Sequence, residues 1–206
     1  MFRVALGAGL VFLATGAGVV FEYFHSPYWT RVGWAPDQPV LFSHRHHAGE
    51  LRIDCRFCHA TVETSAFAGM PATQTCLACH SQIFTDTAML HPVMRSAATG
   101  DPLRWSRVTH LPDHVFFDHS IHLAKGVACV TCHGELGRMA LTAKARQLDM
   151  RWCLDCHRNP GAHLQSGGDL FAALQPTGSD RGSPPGVVPA DPIHAGHLMN
   201  CSTCHH

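Results

Sequence analysis

From Val4 to Phe21 the chain reads VALGAGLVFLATGAGVVF, an apolar run without a single charge, flanked by Arg3 and Glu22. As a helix it is long enough to cross most of a bilayer's hydrocarbon layer, so the pattern predicts an N-terminal transmembrane anchor over residues 1–22. Arg3 on the short side favours a cytoplasmic amino terminus and places everything after Glu22 on the opposite face. Tyr23, Phe24, Tyr28 and Trp29 suit an interfacial aromatic belt, and His25 falls among them, within a juxtamembrane linker assigned to residues 23–40. A cleaved secretory signal is the competing reading. It usually has a shorter apolar region and a small-residue cleavage site, and no clear one follows Phe21.

Downstream, all ten cysteines fall into five copies of Cys-x-x-Cys-His: Cys55/Cys58/His59, Cys76/Cys79/His80, Cys129/Cys132/His133, Cys153/Cys156/His157 and Cys201/Cys204/His205. Zinc and iron-sulfur sites need the paired cysteines but give no reason for histidine to follow the second one. A disulfide framework needs an even cysteine number and no histidine. With 18 histidines in 206 residues, five such placements by chance occur on the order of once in 10^5. The motif is that of c-type haem attachment, with two thioether bonds to the porphyrin and a proximal imidazole on the iron. The expected cofactor complement is therefore five covalently bound haem c.

Fifteen basic and fifteen acidic residues balance, which removes any electrostatic argument for nucleic-acid binding. Haem propionates would make the loaded protein acidic. Five haems on 206 residues leave about 40 residues each, too few to build an ordinary hydrophobic core around every cofactor. The expected fold class is a multihaem cytochrome c: few short helices and mostly irregular structure packed around five haems, behind one transmembrane helix.

The first cysteines of the motifs are separated by 21, 53, 24 and 48 residues, a short-long alternation that exposes an internal repeat. Phe42-Ser43-His44-Arg45-His46-His47 precedes the first motif and Phe117-Asp118-His119-Ser120-Ile121-His122 the third; both read Phe-x-His-x-x-His. The first histidine lies 11 residues before its cysteine in one copy and 10 in the other, so the duplication includes the approach to the motif. Histidines three apart on a helical turn share a face yet diverge enough to reach two metals. His194 and His197 form a shortened version seven residues before Cys201, as though the fifth site were half a module. The exported domain, 41–206, then divides into modules 41–95 and 110–160, a Gly/Pro-rich connection 158–193 and a fifth-haem segment 194–206. Residues 81–116 read as a haem-free excursion, and the 158–193 connection as mobile or draped over a partner.

His46, His91, His110, His114, His163 and His206 are expected to be exposed or bonded to propionates. Met70 and Met150 are expected as core residues, with one of them a candidate for a single His/Met iron of raised potential.

The Phe-x-His-x-x-His approach resembles that of small multihaem cytochromes of the c3 and c7 type, in which the first histidine ligates the haem that follows and the second a neighbour. The resemblance implies that His44 completes the first site and His119 the third, that His47 and His122 serve other haems, and that His194 or His197 completes the fifth. More of the chain, in the strings FSHRHHAGELRIDCRFCH, LPDHVFFDHSIHLAKGVACVTCH, MRWCLDCHRNP and NCSTCHH behind one anchor, resembles the pentahaem subunit of alternative complex III. That family implies a bacterial inner-membrane quinol:electron-acceptor oxidoreductase, respiratory or photosynthetic. Its pentahaem subunit lies on the periplasmic side, beside an iron-sulfur subunit, integral membrane quinol-binding subunits and a monohaem cytochrome c. The implied role is electron relay without an open catalytic haem. Two alternatives are a stand-alone membrane-anchored multihaem quinol dehydrogenase supplying a periplasmic reductase, and a pentahaem nitrite reductase. The latter type carries a lysine-bearing motif variant, and here all five motifs end in histidine.

Overall fold

The computed structural model describes residues 2–165, 169–173 and 196–205. Helix α1, Phe2–His25, has none of its residues buried. Its 24 residues span about 36 Å at 1.5 Å per residue, enough for a hydrocarbon layer of about 30 Å. The helix stops where Pro27 follows: the residue before a proline is disfavoured in the helical region, and Ser26 is extended at φ −69°, ψ 155°. Its hydroxyl returns to the Tyr23 carbonyl at 2.6 Å. A single turn, α2 (Pro27–Thr30), then folds Trp29 edge-on to Phe24, ring centres 4.7 Å apart, while Tyr23 packs on both Phe24 and Trp29. Arg31 lies over the Trp34 ring at 5.1 Å, so a cation closes the aromatic cluster at the end of the anchor.

The juxtamembrane strand of chain is fastened to the domain rather than swinging from it. Lys144 donates from Nζ to the Thr30 carbonyl (2.9 Å), and its backbone is bracketed by Gly33 N–H (2.7 Å) and the Trp34 carbonyl (3.1 Å). Gln38 pairs with the Ser106 backbone in both directions at 2.9 Å.

Beyond residue 40 the regular structure is short helices: α3 (Cys55–Cys58), α4 (Thr73–His80), α5 (His91–Thr99), α6 (His119–Ala124), α7 (Cys129–His133), α8 (Met150–Arg158) and α9 (Cys201–Cys204). Among the described residues the only β pairing is an isolated antiparallel bridge between Val115 and His205. Aspartates start three of the helices: Asp54 accepts from Arg56 N–H, Asp118 from Ser120 N–H and Asp149 from Trp152 N–H, each at 2.8 Å. Segment 81–116 is not idle, because α5 packs back on α4 through a buried Thr73–Ser96 hydroxyl pair at 2.6 Å.

The two halves support each other reciprocally. The approach to the first motif rests on chain that follows the third: His44 Nδ1 meets Thr142 Oγ1 at 2.7 Å, Arg45 N–H donates to the Met139 carbonyl at 2.9 Å, and Gly49 crosses Gly137 so closely that a Cβ there would collide with its carbonyl. The approach to the third motif rests on chain that follows the first: the Ala66 carbonyl accepts from His119 Nδ1 (2.7 Å) and N–H (3.3 Å), and Ser65 O from Ser120 N–H (3.3 Å). Residues 169–173, part of the connection expected to be mobile or partner-bound, close the junction. Leu170 O accepts from Cys129 N–H (3.1 Å), Ala173 O from Gly137 N–H (2.9 Å), and Arg56 stacks on Phe171 at 4.2 Å. Residues 166–168 and 174–193 of that connection, with His194 and His206, lie outside the described residues.

Only Val40, Val62, Val93, Ala128 and Val130 are buried apolar residues among those described, and Val93, Ala128 and Val130 approach full burial. Phe57, Phe67, Phe84, Phe116, Met70 and Met150 are all more than half exposed. A polypeptide of this size ordinarily buries its large apolar side chains on one another. Among the described residues this one does not: its buried apolar set is four valines and an alanine.

Candidate haem sites

Two imidazoles bonded from opposite sides to one metal, at about 2 Å each, put their ring centres roughly 6 Å apart. Histidines of the motifs meet partners at that separation. His133 faces His119 at 6.4 Å with the rings 7° from parallel, His157 faces His122 at 6.3 Å and 26°, and His80 faces His47 at 6.2 Å and 64°. His205 faces His114 at 5.6 Å and 21°. His44, partly buried, has His59 as its strongest electrostatic neighbour.

Each module's phenylalanine is a wedge between the paired histidines. Phe42 stands edge-on to His44 (4.9 Å, 87°) and stacks on His47 (4.4 Å, 25°); Phe117 stands edge-on to His119 (4.8 Å, 89°) and stacks on His122 (4.5 Å, 27°). The local backbones nevertheless differ. His119 opens an α-helix, whereas Arg45–Glu50 is a π-helical turn. The first module has one residue more between histidine and cysteine, and a π turn absorbs one inserted residue while keeping its neighbours in register.

The ring nitrogens share a second feature. Nδ1 is held by a backbone carbonyl in His47 (Ser43, 2.9 Å), His59 (Gly69, 2.7 Å), His80 (Ile83, 3.2 Å), His119 (Ala66, 2.7 Å), His122 (Asp118, 2.7 Å) and His157 (Leu198, 3.1 Å). A carbonyl can only accept, so Nδ1 carries the proton and Nε2 keeps its lone pair for a metal. His46, outside the pairs, is tied instead to the Glu50 carboxylate at 2.9 Å. Burial, with His59 nearby, lowers His44 from 6.5 to about 4, and burial beside His119 lowers His133 to about 4. Both rings are thus neutral at physiological pH, the form that binds metal.

None of the ten cysteines is in a disulfide. Burial raises Cys58, Cys76, Cys153 and Cys156, and takes Cys132 to about 11. Their mutual influences place the motifs in space. Cys55 and Cys129 act on each other, Cys58 feels Cys76, Cys132 feels Cys156 and Cys153, and Cys153 feels Cys204. The motifs therefore neighbour one another in the order second, first, third, fourth, fifth. Nothing in their chain order announces this, because the first-to-third contact closes over 74 residues between Cys55 and Cys129.

These residues fit a haem: paired thiols on a helical turn, a following histidine whose proton is fixed on Nδ1 in His59, His80 and His157, and a second imidazole across a gap of metal-ligand size. An orphaned donor fits as well. Trp105 Nε1 is buried without a hydrogen-bond partner, beside a cavity of about 340 Å³ lined by residues including Thr73 at the head of α4. A porphyrin carboxylate is an acceptor of the required kind. Met70 lines the same cavity, and Met150 lies exposed at the start of α8. His197 is exposed, and its carbonyl accepts from Thr203 Oγ1 at 2.9 Å. His114 is exposed, as the sequence led one to expect, but its ring also faces the fifth motif's His205, a placement the sequence did not display. The only available signal was its position three residues before Phe117, with no second copy to compare.

No protein-family model matches the chain. Over 128 residues it is 31% identical to the multiheme cytochrome c subunit of menaquinone reductase from Nitratidesulfovibrio vulgaris Hildenborough. The match covers 62% of this chain and 59% of that protein.

Proposed function

We propose that this chain is a membrane-anchored electron relay that carries five haem c groups in a quinone-linked membrane complex. The observation that carries the reading is the set of facing imidazole pairs, each containing one motif histidine, with Nδ1 committed to a carbonyl. The likeness to a menaquinone reductase's multihaem subunit supports it independently.

In this reading Cys55, Cys58, Cys76, Cys79, Cys129, Cys132, Cys153, Cys156, Cys201 and Cys204 hold the porphyrins. His59, His80, His133, His157 and His205 are the proximal ligands, and His44, His47, His119 and His122 complete the first, second, third and fourth sites. Bound haem supplies one-electron storage and exchange between neighbours. The chain's own part would be to set which sites are neighbours, to hold the proton of His47, His59, His80, His119, His122 and His157 on Nδ1, and to offer a second imidazole at each site in place of a substrate. It is then an electron-transfer subunit and not itself the catalyst.

The resemblance to alternative complex III adds the finer proposal: a periplasmic haem domain on the inner membrane, beside an iron-sulfur subunit, integral membrane quinol-binding subunits and a monohaem cytochrome c, with electrons leaving quinol. The relative's name favours a second direction, toward the quinone. A closed relay serves either, and its partners' potentials decide. Haemochrome titration and intact mass should return five haems per chain, all low-spin. Fewer haems, or zinc in their place, would refute the relay. Membranes lacking this chain should lose either quinol:acceptor activity or quinone reduction, which selects the direction; loss of neither refutes the quinone link.

A further inference from the structure

We infer that His114 is the second axial ligand at the fifth Cys-x-x-Cys-His motif, opposite His205; the inference rests on the relay reading above. Three observations lead to it. The imidazoles of His114 and His205 lie 5.6 Å apart and 21° from parallel, close to the separations of the module pairs. The backbone enforces that approach: Val115 and His205 form an antiparallel bridge, and Phe116 N–H donates to the Cys204 carbonyl at 2.8 Å. His205 Nδ1 lies 3.4 Å from the carbonyl of His114 itself, so the residue opposite also turns the proximal ring's Nε2 outward.

The fifth site is then not half a module. It borrows its ligand from the second module, where the stretch from His114 to His122 supplies imidazoles to three sites: His114 to the fifth, His119 to the third and His122 to the fourth. The electrostatic contact of Cys153 with Cys204 agrees, since the fourth and fifth motifs must be neighbours for one short segment to reach both. His197 is left with a structural task. Its carbonyl caps the turn into α9 through Thr203 Oγ1 and Asn200 N–H, and the next carbonyl, Leu198, orients His157.

The test uses the full-length holoprotein in detergent. With His114→Ala, one of the five haems should become high-spin by electron paramagnetic resonance and bind carbon monoxide with one-fifth of the total haem amplitude. His114→Met should keep all haems low-spin and raise the potential of one, because axial methionine raises a haem potential; this variant also serves if the alanine form is not recovered. His194→Ala and His197→Ala should leave spin states unchanged. If His114→Ala stays wholly low-spin, or His114→Met moves no potential, the assignment is wrong, and a one-fifth high-spin signal in His194→Ala or His197→Ala names the true ligand. A wild-type protein with fewer than five haems would instead refute the relay reading.

Discussion

Gly49→Ala is the substitution whose effect the structure sets most sharply. Position 49 lies in the π turn Arg45–Glu50, and the added methyl would stand 3.0 Å from the Gly137 carbonyl carbon and 3.2 Å from its Cα, closer still to the oxygen. The obstacle is backbone and cannot rotate away. Against this, replacing glycine in a helical turn ordinarily gains roughly 0.5–1 kcal/mol in chain entropy. Overpacking costs about 1–3 kcal/mol, so the net is a loss of about 1–2 kcal/mol. Each kcal/mol shifts Tm by roughly 2–4 °C in a chain of this size, giving an expected drop of about 2–8 °C. The displaced segment also carries Met139 and Thr142, which hold Arg45 and His44, so the first haem should loosen with it. Thermal unfolding of the holoprotein followed by far-ultraviolet circular dichroism, with spin state read in parallel, tests both. An unchanged or higher Tm would show that the two segments do not bear on each other as argued.

Asp118→Ala removes the cap of α6 and should cost about 1 kcal/mol of stability, seen as a lower denaturation midpoint, while the third and fourth haems stay low-spin because His119 and His122 are oriented by backbone carbonyls. Acidification should destabilise the fold as pH falls from 6.5 to about 4: His44 and His133 are held neutral by burial when folded but take up protons when unfolded, so stability is complete above the unfolded value and is lost through this window. The loss, measured by denaturant titration across pH, is about 3 kcal/mol per ring from burial alone, and more where a metal holds the same ring; a flat profile would contradict the withdrawal of these rings from water. Phe117→Leu removes the wedge between His119 and His122 and should broaden the low-spin resonance signals of two haems without changing haem number; unchanged signals would show that the ring does not set these imidazole orientations.

The five Cys-x-x-Cys-His motifs and the N-terminal apolar helix were legible because each is local chemistry: fixed spacing in the motif, and unbroken apolarity between Arg3 and Glu22. The duplicated Phe-x-His-x-x-His was legible for the same reason, its two copies announcing one geometry. What the sequence could not display is anything closed over distance. The motif order, second, first, third, fourth, fifth, depends on Cys55 meeting Cys129, and the pairing of His114 with His205 depends on a bridge across 90 residues. Neither contact has a periodic or repeated signature, since one bridge and a few backbone hydrogen bonds make each of them. In a chain with so few buried apolar side chains, local spacing therefore decides which residues can meet a haem, and only the tertiary fold decides which two of them share one.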